Sequence, residues 1–512
     1  MTRQRFALLV SLVLLSSFAA STVGEAALAK KKKRPKPTGP AVIQDAEAGR
    51  HVLKATPPQQ QDTTTEPSIS VNPEDPLNAV AVYQSGRVDG GCGQSNGYAT
   101  MFDGGKTWEY GAFPGVTTST GGASPLASDP VVAFGPDNVV YMNHLLCDAE
   151  GNNLGFSVST DGGKTWGDLI RVPDERTFPL DDKNWIVVDN GAGAGHHTGR
   201  IYMVWDQVAP VVAMYSDDQA QTWQGPFLIY AGQGIGTIPM VTPDGDLAVV
   251  YNTLAYPVPR IPEGPGVPEV DPEGTKFVLS LAAGAGTIPT GGPLVFAPPV
   301  TVARYLGTDM RFHRASEDLP TADIDPNSGR IYVAWGDNRF RSDVVNDIVV
   351  THSDDEGLTW SDVERINPGA TDDYLEHITP AIAVGQDGIV RISYRTQQQG
   401  ETFRGFSTKK GEFSPYVDTW YQESKDSGET WSEPLLVNTD VRTDVRFATF
   451  SRSSAFLGDY SQVAVAGSWA YIVRCEAYPL SKKELKKATF PPIVYHTRTW
   501  VAVVDTDGNG KA

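Results

Sequence analysis

The stretch Ser159-Thr160-Asp161-Gly162-Gly163-Lys164-Thr165-Trp166 predicts a tight turn between two β-strands. Aspartate accepts hydrogen bonds from nearby backbone N–H groups, and glycine adopts the positive φ angles that such turns require. Threonine and tryptophan favour a return to extended structure, where the indole is free to cover a neighbouring sheet. The stretch therefore indicates the turn of a β-hairpin.

The same eight-residue pattern occurs five times in the chain. The other copies are residues 101–108 (MFDGGKTW), 216–223 (SDDQAQTW), 353–360 (SDDEGLTW) and 424–431 (SKDSGETW). All of them keep the aspartate, the threonine and the tryptophan in one register, which indicates a repeated structural unit. The pattern resembles the Asp-box, or bacterial neuraminidase repeat, of the sialidase superfamily of β-propellers. The resemblance implies that the boxes are structural hairpins on the face away from an active site.

Short apolar strands precede each box, so that a unit contains four strands within about 50 to 80 residues. A single unit of this kind cannot bury both of its faces, and the units must therefore stack radially. We predict an all-β chain that forms a single β-propeller of four-stranded blades, with seven blades favoured and six left open. The last unit is predicted to hold strands at 461–466, 469–474, 493–497 and 499–504. A two-domain β-sandwich is the structural alternative.

The N-terminal residues 1–29 have the pattern of a secretory signal peptide. Arg3 and Arg5 precede an apolar run at 6–20, and Ala27-Leu28-Ala29 is a small-residue cleavage site. The alternative is a membrane anchor, for which the apolar run is short. We therefore predict a secreted protein, extracellular or associated with the cell surface, with no stable membrane insertion after cleavage.

Three further segments follow the signal peptide. Residues 30–65 begin with a basic, proline-rich run and are predicted to be a disordered linker. Residues 66–505 are predicted to form the sialidase-like propeller, and residues 506–512 a C-terminal tail.

The formal net charge of the chain is −19, which disfavours non-specific binding to nucleic acid. Three cysteines, Cys92, Cys147 and Cys475, are few for a secreted protein of this size, so stability must come from packing. All three follow the second strand of a predicted unit. A bridge from Cys92 to Cys147 or from Cys92 to Cys475 is predicted at the face that carries the site.

Charged residues recur where the chain enters the first strand of a unit or leaves the second strand. In a propeller these positions gather on one face around one opening, where crowded carboxylates should have raised pKa values. These residues include Glu66, Arg87, Asp129, Asp181, Asp182, Asp337, Arg339, Glu376, His377, Arg395, Asp459, Tyr460 and Glu476.

The family resemblance implies roles for some of these residues. Sialidases use three arginines to bind the substrate carboxylate, a tyrosine nucleophile activated by a glutamate, and an aspartate as acid/base. By blade position the substrate-binding arginines are Arg87, Arg339 and Arg395. Tyr460 is the expected nucleophile with Glu376 as its activator, and Asp182 or Asp129 is the expected acid/base. The chain has Glu66-Pro67-Ser68-Ile69 where the family has Phe-Arg-Ile-Pro.

The resulting functional prediction is a sialidase-like glycoside hydrolase, exo-acting and retaining, on terminal sialic-acid-like sugars of glycans. The alternative is a non-catalytic propeller that binds cell-surface glycan or protein. A third interpretation is a calcium-dependent hydrolase that uses the carboxylates. The segment 505–510 resembles the opening of a calcium loop but lacks the later glutamate, so no cofactor is expected and Ca²⁺ is left open. The expected partner is a glycan or glycoconjugate, and the expected state is a monomer.

Overall fold

The computed structural model describes residues 39–54, 60, 62–88, 91–173, 181–207, 209–254, 274–308, 310, 313–315, 318–400, 407, 409, 412–451, 454–479 and 496–507. The predicted signal peptide and residues 508–512 of the predicted tail lie outside these residues. All of the described residues belong to one compact unit, 37–512.

The described regular structure consists of β-strands and three short 3₁₀ helices, Thr118–Thr120, Ala285–Thr287 and Val445–Phe447. The strands of the first half are β1 Ala41–Gly49, β2 Thr64–Val71, β3 Ala79–Arg87, β4 Gly93–Met101, β5 Glu109–Ala112, β6 Leu126–Phe134, β7 Val140–Asp148, β8 Gly151–Ser159, β9 Ile170–Arg171, β10 Asp182–Val188, β11 Ile201–Asp206, β12 Val211–Ser216, β13 Gln224–Tyr230, β14 Gly234–Val241, β15 Leu247–Thr253, β16 Lys276–Ala282 and β17 Val300–Arg304.

The strands of the second half are β18 His313–Arg314, β19 Thr321–Ile324, β20 Ile331–Asp337, β21 Asp347–Ser353, β22 Glu364–Arg365, β23 Leu375–Val384, β24 Val390–Gln398, β25 Tyr416–Ser424, β26 Leu435–Leu436, β27 Thr443–Asp444, β28 Thr449–Ser451, β29 Ser454–Phe456, β30 Gln462–Ala466, β31 Trp469–Ala477 and β32 Thr497–Asp505. The prediction of an all-β chain is confirmed for the described residues.

Most strands pair with their neighbours in sequence to form four-stranded antiparallel sheets, namely β10–β13, β14–β17 and β19–β22. Strands β23–β26 form a similar sheet to which β27 adds. The units β2–β5 and β6–β9 are linked into one eight-stranded sheet through the single residue pair Gly93–Ala127. Strands β18, β29 and β28 form a separate small sheet, which we call the cap sheet.

The first strands of successive sheets contact one another. The contacts join β2 to β6, β6 to β10, β10 to β14, β14 to β19, β19 to β23, β23 to β30, and β30 to β2. Residues from all of these strands line a central cavity of about 570 Å³. The number of blades in this arrangement stays a prediction.

The N-terminal boundary and the last sheet differ from the sequence prediction. The segment Ala41–Gly49, predicted to be disordered, is strand β1 and pairs with β32 at the edge of the sheet β1-β32-β31-β30. Residues Thr497–Asp505 form one strand rather than two, so β1 supplies the fourth strand of this sheet. Asp45 of β1 accepts a 2.6 Å hydrogen bond from the buried Arg474, and this ion pair helps to hold the early segment in place. Composition alone did not reveal this partner.

The box turns have the hydrogen bonds that the pattern predicts. In the second copy, residues 159–166, the Asp161 carboxylate accepts from the backbone N–H of Thr165 at 2.8 Å and from its hydroxyl at 2.6 Å. Ser159 Oγ accepts from the N–H of Gly163 at 2.9 Å. Gly163 has a φ of +88°, and a Cβ there would lie only 2.3 Å from Val80 Cγ2 of β3. The glycine therefore permits close packing of one box against the preceding sheet.

A disulfide joins Cys92 to Cys147, which confirms one of the two predicted bridges, and Cys475 is a buried free thiol. The bridge links the turn before β4 to the end of β7 and so connects two adjacent units. Among the residues that the structure describes, no helix has the length and apolar character needed to cross a membrane.

Candidate functional site

The first strands carry β-bulges at one end. The pairing register is interrupted after Thr65 in β2, after Ser128 in β6, after Asp182 in β10, after Ile235 in β14 and after Ile378 in β23. Each bulge holds one residue with a positive φ, namely Glu66 (52°), Asp129 (38°), Lys183 (41°), Gly236 (73°) and Thr379 (50°). Bulges re-aim side chains, and a left-handed residue other than glycine costs about 1–2 kcal/mol. Such strained residues are concentrated at functional sites in proteins.

Three of the bulge residues are ionisable and belong to one electrostatically linked group, which we call the charged cluster. It consists of Glu66, Arg87, Asp129, Asp182, Lys183, Arg314, Asp459 and Tyr460. The cluster draws on β2, β3, β6, β10, the cap sheet and the turn before β30. Neither a single motif nor a single segment of the chain contains it.

Glu66 and Asp129 are two neighbouring carboxyl groups with raised pKa values. Burial is the largest cause of the raised pKa of Glu66, followed by the charge of Asp129. Burial, and next the charge of Asp182, raise the pKa of Asp129 to about 7. Two adjacent carboxyl groups of this kind do not both ionise readily, because each charge opposes the other. At neutral pH the pair can therefore supply one proton donor and one proton acceptor.

The Lys183 ammonium lies between two aromatic rings. Its Nζ is 4.0 Å from the centroid of the Trp185 ring and 4.1 Å from that of the Tyr460 ring. The two rings meet edge to face with centroids 5.4 Å apart. Burial lowers the pKa of Lys183 to about 8, and Asp129 is the strongest of the carboxylates that oppose this shift. We call this arrangement the lysine clamp.

Within the described ranges, Tyr460 presents a hydroxyl group without a partner to the cluster. Its side chain is buried, and its hydroxyl has no hydrogen-bond partner among the described residues. Burial raises the pKa of the phenol well above its usual value, and Asp129 contributes the largest of the charge effects. The phenol is therefore protonated at neutral pH and can donate a hydrogen bond to a ligand.

Two arginines bring positive charge to the cluster from another side. Arg87 and Arg314 both donate to Ser451 Oγ, at 3.4 Å and 3.0 Å, and both lie against the Phe456 ring. Arg314 also forms an ion pair with Asp459. Because Arg314, Ser451 and Phe456 come from the cap sheet, the cap sheet attaches to the cluster through these contacts.

A small cavity of about 60 Å³ opens beside the cluster. Lys183, Asp459 and Tyr460 line it together with less polar residues such as Leu319 and Pro380. The central cavity shares Trp185 with the small one and extends away from the cluster towards the opposite ends of the first strands. The larger cavity is lined by many apolar residues and also by Asp323, whose pKa burial raises to about 6, but it does not include the charged cluster.

The sequence-predicted residues divide into two groups. Arg87, Asp129, Asp182 and Tyr460 belong to the charged cluster, and Asp182 has an exposed side chain there.

The other predicted residues have partners elsewhere. Arg339 Nε donates to Asp337 at 2.8 Å. Glu376 accepts from the side-chain amide of Asn346 at 2.8 Å. The charge acting most strongly on the buried Arg395 is that of Glu476.

The register of β23 explains the placement of Glu376. This strand begins at Leu375, ahead of the bulge, so Glu376 pairs with Gln397 inside the regular ladder. The residue that corresponds to Glu66 and Asp129 in the bulge is Thr379. Glu376 therefore precedes the bulge of β23 and does not occupy the bulge position that Glu66 and Asp129 occupy in their strands.

Sequence reasoning did not select four residues of the cluster as site residues. Glu66 and Asp459 stand at the same strand entrances as the selected residues and could have been included on that signal. Lys183 directly follows Asp182, but it belongs to no recognisable sequence motif. Arg314 lies outside the repeated boxes, and no motif in the sequence indicates what it contacts.

A metal site requires a defined arrangement of ligand side chains. In the described part of the chain, no group of three or more His, Cys, Asp or Glu side chains is arranged to hold a metal ion. Only Asp505, Thr506 and Asp507 of the calcium-like segment are described.

Comparison with known proteins gives similar structures but no similar sequences. Neither a scan of protein-family models nor a search of curated proteins found a match. An α-L-arabinanase of Penicillium chrysogenum complexed with arabinobiose aligns with 91% of this chain and 99% of its own, at 11% identity and a TM-score of 0.45. An α-L-arabinofuranosidase of Fusarium graminearum in complex with an iminosugar inhibitor aligns with 90% of this chain and 97% of its own, at 11% identity and a TM-score of 0.43.

An intramolecular trans-sialidase of Ruminococcus gnavus in complex with oseltamivir carboxylate aligns with 65% of this chain and 90% of its own, at 13% identity and a TM-score of 0.39. Likeness at this level does not identify the activity of the chain.

Proposed function

We propose that the protein is a glycoside hydrolase whose reaction takes place at the charged cluster. The observation that carries this proposal is the unpartnered, buried Tyr460 hydroxyl beside two carboxyl groups of raised pKa and a small cavity. Sugar hydroxyls both donate and accept hydrogen bonds, so a site with several carboxylates and free donors suits them. The partly apolar walls of the cavity suit the C–H faces of a sugar ring.

The proposed chemistry assigns a role to each reacting group. Tyr460 Oη attacks the anomeric carbon, and Asp129 accepts the phenolic proton, because it is the carboxylate that most strongly affects Tyr460. Glu66, whose pKa is raised well above its usual value by burial and by the charge of Asp129, gives its proton to the leaving glycosidic oxygen. Water then displaces the tyrosine ether, and its proton passes to the ionised Glu66 while Asp129 returns its proton to Tyr460. Glu66 thus takes the acid/base part that the resemblance had given to Asp182 or Asp129, and Asp129 takes the activating part that it had given to Glu376.

The finer parts of the proposal follow the family resemblance. They are an exo-acting, retaining reaction on terminal sialic-acid-like sugars, with Arg87 and Arg314 as the nearest cationic groups. A location outside the cell is also proposed. The signal-like N-terminus and the Cys92–Cys147 disulfide support it, because disulfides persist mainly in oxidising compartments.

We further propose that the sheets form a closed propeller of seven blades. The contacts of the first strands support this proposal because they run from β2 through β30 and back to β2. The first box gives independent support. A Cβ at Gly104 would lie 2.4 Å from the Trp469 ring, so the box of the first unit packs against the last.

The test is a hydrolysis assay on 4-methylumbelliferyl glycosides, including N-acetylneuraminide and α-L-arabinofuranoside. Asp129→Asn and Tyr460→Phe should each reduce kcat/KM by about 100-fold or more on whichever glycoside the wild type cleaves. Asp161→Asn is the matched control, because it makes the same change in an exposed box turn and should leave kcat/KM unchanged.

Two results would overturn the proposal. An active wild type whose Asp129→Asn variant keeps full activity would place the chemistry elsewhere. A wild type that binds sugars in calorimetry but cleaves none of the glycosides would indicate a binding protein instead.

A further inference from the structure

The lysine clamp is the feature of the cluster that the proposed chemistry leaves without a role. Lys183 is 5% exposed and has a left-handed backbone with a φ of 41°. No described residue forms an ion pair with its Nζ or accepts a hydrogen bond from it, although several carboxylates are near enough to affect it. A buried ammonium without a direct ion pair is costly to retain unless its charge serves the site.

The backbone at Lys183 is held from both sides. Its N–H donates to the Asp182 carboxylate at 2.9 Å, and its carbonyl accepts from Thr237 Oγ1 at 3.1 Å. These bonds stabilise the bulge and point the side chain towards Tyr460. The direction of the ammonium is therefore set by the fold.

The rings confine the ammonium without neutralising it. The face of an aromatic ring attracts a cation but has no proton to exchange and carries no net charge. The positive charge therefore remains available to Asp129, Glu66, Asp459 and Asp182, which are the carboxylates that face it. Asp129 has the largest effect of the four.

We propose that Lys183 is a positioning residue of the site, which holds the Tyr460 ring in place and keeps Asp129 ionised as its proton acceptor. This inference rests on the proposed function and adds a residue to it. The ammonium is a fixed cation beside a pair of carboxyl groups that would otherwise both retain protons. Its lowered pKa, which is still about 8, leaves it charged at neutral pH.

The first experiment measures kcat/KM against pH for the wild type, Lys183→Met and Lys183→Arg. Removing the cation should shift the low-pH limb of the profile to higher pH by about one pH unit, because Asp129 then holds its proton more tightly. Lys183→Arg, which keeps the charge, should leave the limb near its wild-type position. Lys164→Met is the matched control, since it removes one exposed lysine from a box turn and should not move the limb.

A second readout does not depend on turnover. In protein labelled with ¹³C at the aspartate carboxyl carbons, the resonance missing from Asp129→Asn identifies Asp129, and its titration midpoint should rise in Lys183→Met. If the wild type cleaves no glycoside but this midpoint rises, the role of Lys183 in keeping Asp129 ionised holds and the proposed hydrolase function fails.

The proposal is overturned if neither the limb nor the resonance moves in a folded Lys183→Met variant, or if Lys164→Met moves them equally. If Lys183→Met does not fold, the comparison uses Lys183→Arg and Lys183→Gln. Equal midpoints in that pair would also overturn the proposal.

Discussion

The box turns and the charged cluster use the same acidic side chain in opposite ways. In the box turns, the hydroxyl of Thr359 donates to Asp355 and that of Thr430 donates to Asp426, and these bonds lower the pKa of each carboxyl. In the cluster, burial followed by the charge of Asp182 raises the pKa of Asp129 to about 7. The difference teaches that the box aspartates are stabilised as structural anions, whereas Asp129 is poised to exchange a proton.

The two regions also differ in how their glycines and bulges are used. At the boxes, positive φ angles are taken mostly by glycine, as at Gly163, and they allow one sheet to approach another. At the cluster, Glu66, Asp129 and Lys183 take positive φ angles without being glycine. The boxes also place Gln219, Ala220, Glu356 and Ser427 at positive φ, so the difference is that the strained residues of the cluster are ionisable groups beside a cavity.

The largest expected effect that tests the difference between the box aspartates and Asp129 is the pH dependence of catalysis. If Asp129 must be ionised, kcat/KM should fall about tenfold per pH unit below the pKa of Asp129, which is about 7. At higher pH this limb ends, and kcat/KM falls again only where Glu66, the proposed proton donor, ionises. The sign follows because a raised pKa extends the protonated, inactive form of the base to higher pH. A profile measured from pH 4 to 9 that is flat across pH 7 would contradict the assignment.

A change confined to a box should affect stability and spare activity. Gly163→Ala introduces a Cβ that would meet Val80 Cγ2 at 2.3 Å and also strains a positive φ, so we expect a loss of about 2–4 kcal/mol. Gly193→Ala is the matched control, because its φ is also positive but nothing lies within 4 Å of the new Cβ, and it should cost only about 1 kcal/mol. Urea denaturation gives both values. A Gly163→Ala protein as stable as the wild type would show that the box does not pin adjacent sheets.

The smallest expected effect concerns Glu376. Glu376→Gln keeps an oxygen that can accept from the Asn346 amide, so kcat/KM should change by less than about threefold, which is under 1 kcal/mol of barrier. Steady-state kinetics on the same glycoside as used for Asp129→Asn provides the measurement. If Glu376→Gln loses as much activity as Asp129→Asn, Glu376 takes part in the reaction. The register of β23 would then not be a valid reason to leave Glu376 out of the site.

Much of the fold could be predicted because its signals are local. The repeated Asp-Thr-Trp pattern depends on hydrogen bonds within a few residues, as between Asp161 and Thr165, and local bonds leave local sequence marks. The last sheet could not be predicted in the same way, since β1 pairs with β32 from the opposite end of the chain. Its ion pair between Asp45 and Arg474 joins residues that no short motif connects.

The candidate site was predicted only in part for a related reason. Asp129 and Tyr460 could be selected because each stands where a strand begins, and that property is visible in the sequence. Whether a charged side chain near a strand entrance points into the cluster depends on the bulge of that strand. A shift of one residue in the strand turns a side chain to the other face of the sheet. For this reason Thr379, and not Glu376, occupies the bulge of β23.

By itself, the sequence determined that this chain is built from repeated β-hairpin units with aspartate-stabilised turns, because those interactions join near neighbours. Only the tertiary structure decided which polar side chains share one environment, namely Glu66, Asp129, Lys183 and Tyr460, which come from separate units of the chain. Electrostatic coupling and burial depend on distances through space, and those distances are set by the packing of sheets that are remote in the chain.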